Sequence, residues 1–218
     1  MSLHLLRPSP SSLLDVSGVL IKNIITLLAI TIIPATAFAA DTEVKFSGST
    51  HTTAVSGYSN KKTTVNDGTW FGIQGISFWE YGDYSCRVET NADHFNKVST
   101  RKREFNARGK DCSKSKKQVL FNGKDDYVYK IQVCTTDKKD ASKNKLKGIR
   151  IWARTINRGS TVTLTNQSAK LEAKRTNCKK WHKAVSCPSG QVANAVKAHY
   201  DGINITGLAL DCRQVVKQ

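Results

Sequence analysis

Trp181 lies in the run Lys179-Lys180-Trp181-His182-Lys183, where an aromatic face is surrounded by four side chains able to carry positive charge. That combination suits stacking on a sugar ring or base together with contact to a phosphate, sulfate or carboxylate. Trp70 follows the turn Asn66-Asp67-Gly68 and is flanked by Thr69 and Phe71, so Asp67 and Trp70 form a second candidate pair near a chain reversal. Tyr200 and Asp201, beside Gly202, complete the candidate binding set at a third turn. Catalytic groups are harder to assemble. His51, His94, His182 and His199, with Lys183 and Lys197 as neighbours, could supply the acid and base of a basic hydrolase such as a nuclease, but no motif ties two histidines together. Glu80, Asp83 and Glu89 near Tyr81 and Tyr84 could form a glycosidase pair, and nothing in their spacing fixes a separation. Gly-x-Ser-x-Gly, His-Glu-x-x-His and phosphate-loop patterns are all absent from the sequence.

The elements that position these residues are strands. Three segments repeat one phrase, Ile73-Gln-Gly-Ile-Ser-Phe-Trp-Glu, Leu146-Lys-Gly-Ile-Arg-Ile-Trp-Ala and Ile205-Thr-Gly-Leu-Ala-Leu-Asp-Cys. Each follows a polar turn, at Asn66-Asp67-Gly68, at Asp137 to Lys145 and at Tyr200-Asp201-Gly202, and each reads as the second strand of a β-hairpin opening on a glycine. Gly75, Gly148 and Gly207 are separated by 73 and 59 residues, the period of three similar sheets. Alternation also marks 44–46, 119–121, 127–133, 161–164 and 192–198, which predicts an all-β chain of roughly ten to twelve strands. Segment 93–108 reads as a basic surface loop, because Phe95, Val98 and Phe105 are too sparse for a helical face. Trp79 and Trp152 recur four residues after the phrase glycine and are expected in the core.

Cysteine usage and the leader bear on compartment. Residues Ile24 to Ile33 form an apolar core after Lys22, and Pro34-Ala-Thr-Ala-Phe-Ala39 supplies an A-x-A cleavage pattern, so residues 1–39 read as a signal peptide and 40–218 as one mature domain with three internal repeats. An apolar run of that length is too short to span a bilayer. A start at Val19 or Leu20 would give an ordinary leader of about 20 residues, which points to a start codon downstream of Met1. The expected location is secreted or periplasmic. All six cysteines follow the cleavage pattern and should be oxidised. Cys187 enters the first strand of the last hairpin and Cys212 closes its second, so a bridge can form across them. Cys86 with Cys112 and Cys134 with Cys178 is one pairing of the other four, and the sequence leaves the alternatives open. No cofactor or metal is expected, since no Cys-x-x-Cys occurs and no histidine stands at ligand spacing from a cysteine pair.

The formal charge of +17 becomes +16 once Arg7, Lys22 and Asp15 leave with the leader, and the cations concentrate at 101–117, 138–150 and 170–183. Such a surplus argues for an anionic partner rather than for a fold.

The unit from Cys187-Pro-Ser-Gly-Gln-Val192 through Tyr200-Asp-Gly to Ile205-Thr-Gly-Leu-Ala-Leu-Asp-Cys212-Arg resembles a module of exported bacterial proteins in which Cys-Pro-x-Gly opens a strand and Gly-Leu-x-Leu-x-Cys closes one. With the repeated phrase, the chain is similar to the vitelline membrane outer layer type and, more remotely, to the jacalin-like lectins. The match is best over 187–213, weaker over 127–156 and faint over 55–84. The resemblance implies a β-prism, three antiparallel sheets about a pseudo-threefold axis, and binding to glycans or other extracellular polymers. A β-sandwich or trefoil-like barrel is the alternative architecture. Jacalin-type lectins carry a Gly-x-x-x-Asp sugar loop, and Gly207 to Asp211 matches it by letters, but Leu-Ala-Leu alternates there as a strand interior, so that sugar site is not transferred. The expected function is a secreted, non-catalytic binder of glycans or anionic polymer, whether polysaccharide, nucleic acid or anionic lipid surface. A basic hydrolase or a membrane-active toxin are the alternatives.

Overall fold

A computed structural model of the chain describes residues 42–66, 70–140 and 143–218. The leader read at 1–39 and the Asp67 candidate lie outside the described residues. Among the described residues the regular structure is β apart from 3-10 turns, one of them at Gly109–Asp111. The strands are β1 (Val44–Thr52), β2 (Ser56–Gly57), β3 (Lys61–Asn66), β4 (Phe71–Tyr81), β5 (Tyr84–His94), β6 (Thr100–Asn106), β7 (Lys116–Leu120), β8 (Asp126–Thr135), β9 (Leu146–Arg158), β10 (Val162–Lys174), β11 (Lys180–Trp181), β12 (Val185–Ser186), β13 (Gln191–Tyr200) and β14 (Ile205–Lys217).

They form three antiparallel sheets of one design. Sheet A runs β1-β14-β13-β3, sheet B runs β6-β5-β4-β7 and sheet C runs β10-β9-β8-β11, with β2 and β12 as short additions. A long hairpin, β13/β14, β4/β5 or β8/β9, forms the centre of each sheet. The registers repeat in detail. Five uninterrupted pairs, starting at Gly75↔Asn91, Lys130↔Trp152 and Ala195↔Asp211, lie between two β-bulges in every hairpin. The residue bulged from the first strand is Gln74, Tyr129 or Asn194, and from the second Cys86, Lys147 or Thr206.

This register assigns the repeated phrase a physical meaning and corrects one reading of it. In apolar-polar-Gly, the polar residue is the bulged one and the glycine follows it. A methyl group on Gly75 would meet Val119 O at 2.5 Å, on Gly207 it would meet Tyr58 O at 2.7 Å, and on Gly148 it would meet the Lys174 side chain at 3.0 Å. The glycine is required because a flanking strand passes too close for a side chain. Segments 146–152 and 205–211 occupy equivalent second strands, but 73–79 lies in the first strand of its hairpin. The Asn66-Asp67-Gly68 turn therefore does not close a hairpin: β3 belongs to sheet A and β4 to sheet B. The β4/β5 reversal is made instead at Gly82, whose φ of +58° suits a tight turn.

Alternation then separates the faces. Ile76, Phe78, Val88, Ile131, Val133, Ile149, Ile151, Val196, Leu208 and Leu210 point inward from all three sheets into one core. A second cluster of Val44, Phe46, Phe95, Tyr127, Ile156, Val192 and Val215 fills one end. Trp79 and Trp152, expected inside, are on outer faces: each is next to an inward residue, Phe78 or Ile151, and a strand cannot send neighbours the same way. Trp79 is buried nonetheless, against the Cys86–Cys112 bridge, while Trp152 is half-buried. Segment 93–108, expected to be a loop, contributes the end of β5 and all of β6, an exposed edge strand in which alternation is hidden by charge.

The disulfides are Cys86–Cys112, Cys134–Cys178 and Cys187–Cys212. Cys187–Cys212 does not span the last hairpin, because Pro188 to Gly190 intervene before β13 begins. The Cys187 amide donates to Tyr129 O of sheet C at 2.7 Å, so this bridge ties sheet C to β14 of sheet A within the main core.

Candidate functional site

Trp70 stands immediately before β4, where its carbonyl accepts a hydrogen bond from Phe95 N at 3.0 Å and so fixes it beside the end of β5. There its ring lies parallel to that of His94, with an interplanar angle of 5° and centroids 6.1 Å apart. The two rings, with Glu43, Asn96, Lys97 and Gln218, line a cleft of about 410 Å³. Its walls are fixed from behind. The Asn96 side-chain amide accepts from Val44 N through Oδ1 and donates to Val44 O through Nδ2, at 2.9 Å each, and its Oδ1 also accepts from Arg158, whose guanidinium holds Asp125 at 2.7 Å.

The His94 ring is oriented too: Nδ1 accepts from Asn96 N at 3.0 Å, which leaves Nε2–H as donor in the neutral ring. Burial, followed by the nearby Lys97 charge, lowers the His94 pKa below its ordinary value, so the neutral form prevails at neutral pH. A flat aromatic surface beside a neutral donor, the Glu43 carboxylate and two amides can pack against the apolar face of a sugar ring and exchange hydrogen bonds with its hydroxyls.

The remaining candidates divide between places that do not meet. Trp181 pairs with Cys134, next to the β8–β9 turn, whereas Trp70 lies at the opposite end of its own hairpin from the β4–β5 turn. Since the three hairpin turns share one cleft of about 370 Å³, lined by Asp83, Lys138, Lys145, Asp201 and their neighbours, Trp70 and Trp181 belong to opposite ends of the molecule. Trp181 and His182 also face opposite ways. Trp181 lies on the outer face of sheet C under the Arg150 guanidinium, 3.8 Å from the ring centre. His182 turns the other way, with Nε2 2.8 Å from Thr135 Oγ1 and its ring edge-on to Tyr58. Burial and then the Lys180 charge lower its pKa, as expected of a packed ring. Lys179 and Lys183 are exposed, and Lys180 lies 3.4 Å from Asp137.

Tyr200 packs on Phe105 with centroids 4.7 Å apart. Asp201 is consumed by its own turn, accepting from Ile203 N at 3.0 Å, Asn204 N at 2.7 Å and Asn204 Nδ2 at 3.0 Å. Both are therefore structural. Asp211, at the end of the Gly-x-x-x-Asp letters, lies inside β14 and holds Lys197 at 3.0 Å and Thr52 at 2.6 Å. The three carboxylates considered for glycosidase chemistry are engaged as well: Glu80 and Asp83 by Lys147, Glu89 by Arg87 and Lys116.

Two features escaped the sequence reading. His94 joins Trp70 only through the β4/β5 register, across 24 residues of chain. The cation–aromatic pairs of sheet C, Lys130 over Trp152 at 4.6 Å and Arg154 over Tyr129 at 4.3 Å, were hidden by assigning Trp152 to the core.

No protein-family model matches the chain, and no curated protein matches it in sequence. Solved structures do share its arrangement. The agglutinin of Calystegia sepium aligns with a TM-score of 0.52 at 12% identity, covering 77% of this chain and 99% of its own. The fold is a β-prism. A single-chain recombinant jacalin aligns over 77% of this chain and 96% of its own, with a TM-score of 0.47 at 9% identity. In this β-prism the Trp70–His94 cleft lies at the end filled by the smaller core, where Phe95, the residue after His94, packs on Tyr127 with centroids 5.0 Å apart.

Proposed function

We propose that the protein is an exported, non-catalytic glycan-binding protein that takes a neutral sugar in the Trp70–His94 cleft. The observation that carries this reading is the parallel pair of rings in a concave setting with an oriented, neutral His94 donor. Charged ligands are not demanded there, because Lys97 and Glu43, of opposite charge, both line the cleft. The fold is compatible, since the solved structure with a TM-score of 0.52 is named an agglutinin. Three disulfides and the leader pattern support an extracellular or periplasmic location.

The test is titration of the disulfide-bonded protein with a panel of neutral mono- and oligosaccharides, followed by Trp70→Ala. Loss of one stacking platform should weaken binding by roughly 10- to 100-fold. Absence of neutral-sugar binding across the panel, or binding indifferent to Trp70→Ala, would refute the assignment.

A further inference from the structure

The three outer faces of the β-prism differ in charge. On sheet B, the Trp79 ring has Arg87 at 4.3 Å and Lys116 at 5.0 Å, but Glu89 and Glu104 pair with those cations. On sheet A, Lys197 is paired with Asp211. Sheet C is different. Its register aligns Lys170, Trp152 and Lys130 in one row across three strands, and among the described residues no carboxylate pairs with either lysine. One row further toward the turns, two residues or about 6.7 Å along the strands, Glu172 pairs with Arg150 at 2.5 Å. In the next row, Trp181 lies under that same Arg150. The face therefore presents two half-buried indole rings, each with a cation above it, and an excess of positive charge.

We propose that the outer face of sheet C is a second binding surface, for a linear polyanionic polysaccharide. The chemistry decides between occupants. A neutral sugar stacking on Trp152 would have to displace the Lys130 ammonium from the ring and gain nothing from it. A chain carrying sulfates or carboxylates draws Lys130 and Lys170 outward to its charges while its sugar rings cover the vacated indole. A sheet face carrying cations and indoles in successive rows fits an extended polymer better than a single residue, and it is separate from the Trp70–His94 cleft, so either surface can fail without the other.

The probes are a heparin-derived oligosaccharide and polygalacturonate, with dextran as the neutral control, each measured from low to physiological salt. Lys130→Gln/Lys170→Gln should weaken heparin binding at least tenfold and reduce the slope of log affinity against log salt by roughly two, one for each lost contact. Trp152→Ala should weaken binding further, and both variants should keep wild-type neutral-sugar affinity and thermal unfolding. Lys102→Gln/Lys217→Gln removes the same net charge elsewhere and should have little effect. An equal loss in that control pair, no binding to either polyanion at low salt, or binding confined to single-stranded DNA or phosphatidylserine vesicles would overturn the proposal. Should Trp152→Ala fail to fold, the lysine pair alone decides, because both side chains lie on the outer face.

Discussion

Lys147 is the bulged residue of β9 and, among the described residues, the most fully buried cation, with its side chain 0% exposed. Its ammonium is held by Glu80 and by both the carboxylate and the carbonyl of Asp83, at 2.9 and 3.0 Å. Lys147→Met preserves most of the volume and removes the charge. The change strands Glu80, which is nearly as buried, but not completely: Arg175 Nε remains 3.1 Å away as a charge contact with its N–H directed elsewhere. Breaking a buried pair costs about 3 to 5 kcal/mol, and the residual Arg175 contact places the expected loss near ~3 kcal/mol. With a urea m-value of ~2.5 kcal/mol/M, the unfolding midpoint should fall by about 1.2 M at pH 7. A second signature follows from Asp83. Partial desolvation raises its pKa, but hydrogen bonds and charge from Lys145 and Lys147 prevail and hold it at about 2. A carboxylate depressed in the folded state contributes stability above its ordinary pKa of 3.8, and that contribution drains away as pH falls toward 2. Asp83 is 60% exposed, so solvent screening limits the contribution to about 1 kcal/mol or less. The acid limb between pH 4 and pH 2 should therefore be shallower in Lys147→Met than in wild type, with Lys145 retaining part of it. Urea titrations at several pH values measure both effects. A loss under about 1 kcal/mol with unchanged m, or identical acid limbs, would show that the bulged lysine is not an energetic link between sheets B and C.

Gly207→Ala directs a methyl group at Tyr58 O, 2.7 Å away, and the obstruction is backbone that cannot rotate aside. The expected destabilisation is about 1 to 3 kcal/mol, a fall of roughly 3 to 10 °C in Tm, and an unchanged Tm would contradict the close-approach reading of the phrase glycine. Neutral-sugar binding should be flat between pH 8 and 7 and weaken only below the ordinary histidine pKa, because burial first, then Lys97, disfavours the charged form of His94. Protonation of Nδ1 would break its bond from Asn96 N, so the decline should vanish in His94→Gln, and an acid decline of equal size in that variant would assign the effect elsewhere.

The three-sheet plan was legible because two periodicities coincide in the sequence, the alternation of single strands and the spacing of a recurring glycine phrase. The phrase proved more informative than its letters suggested. A polar residue before a glycine at the start of a strand is the mark of a bulge: Gln74 donates to Gly123 O at 2.9 Å, the Thr206 hydroxyl lies 3.2 Å from the two acceptors Tyr58 O and His199 O, and Lys147 forms the ion pairs just described. Each bulge re-aims a polar side chain so that it fastens a neighbouring loop or strand. Which strand of the hairpin carries the phrase was not legible, because a bulge in β4 and one in β9 look alike until the pairing is known. The same limit governs the site. Trp70 could be singled out by its turn, but its partner His94 is set by register across the hairpin, and no local pattern encodes a register that two bulges shift. Trp152 was recoverable, since Ile149 and Ile151 already occupy the inner face and their neighbours must point out. Strict use of alternation after the glycine would have exposed the sheet C rows, where Lys130 and Lys170 are placed beside that ring by two strands distant in sequence.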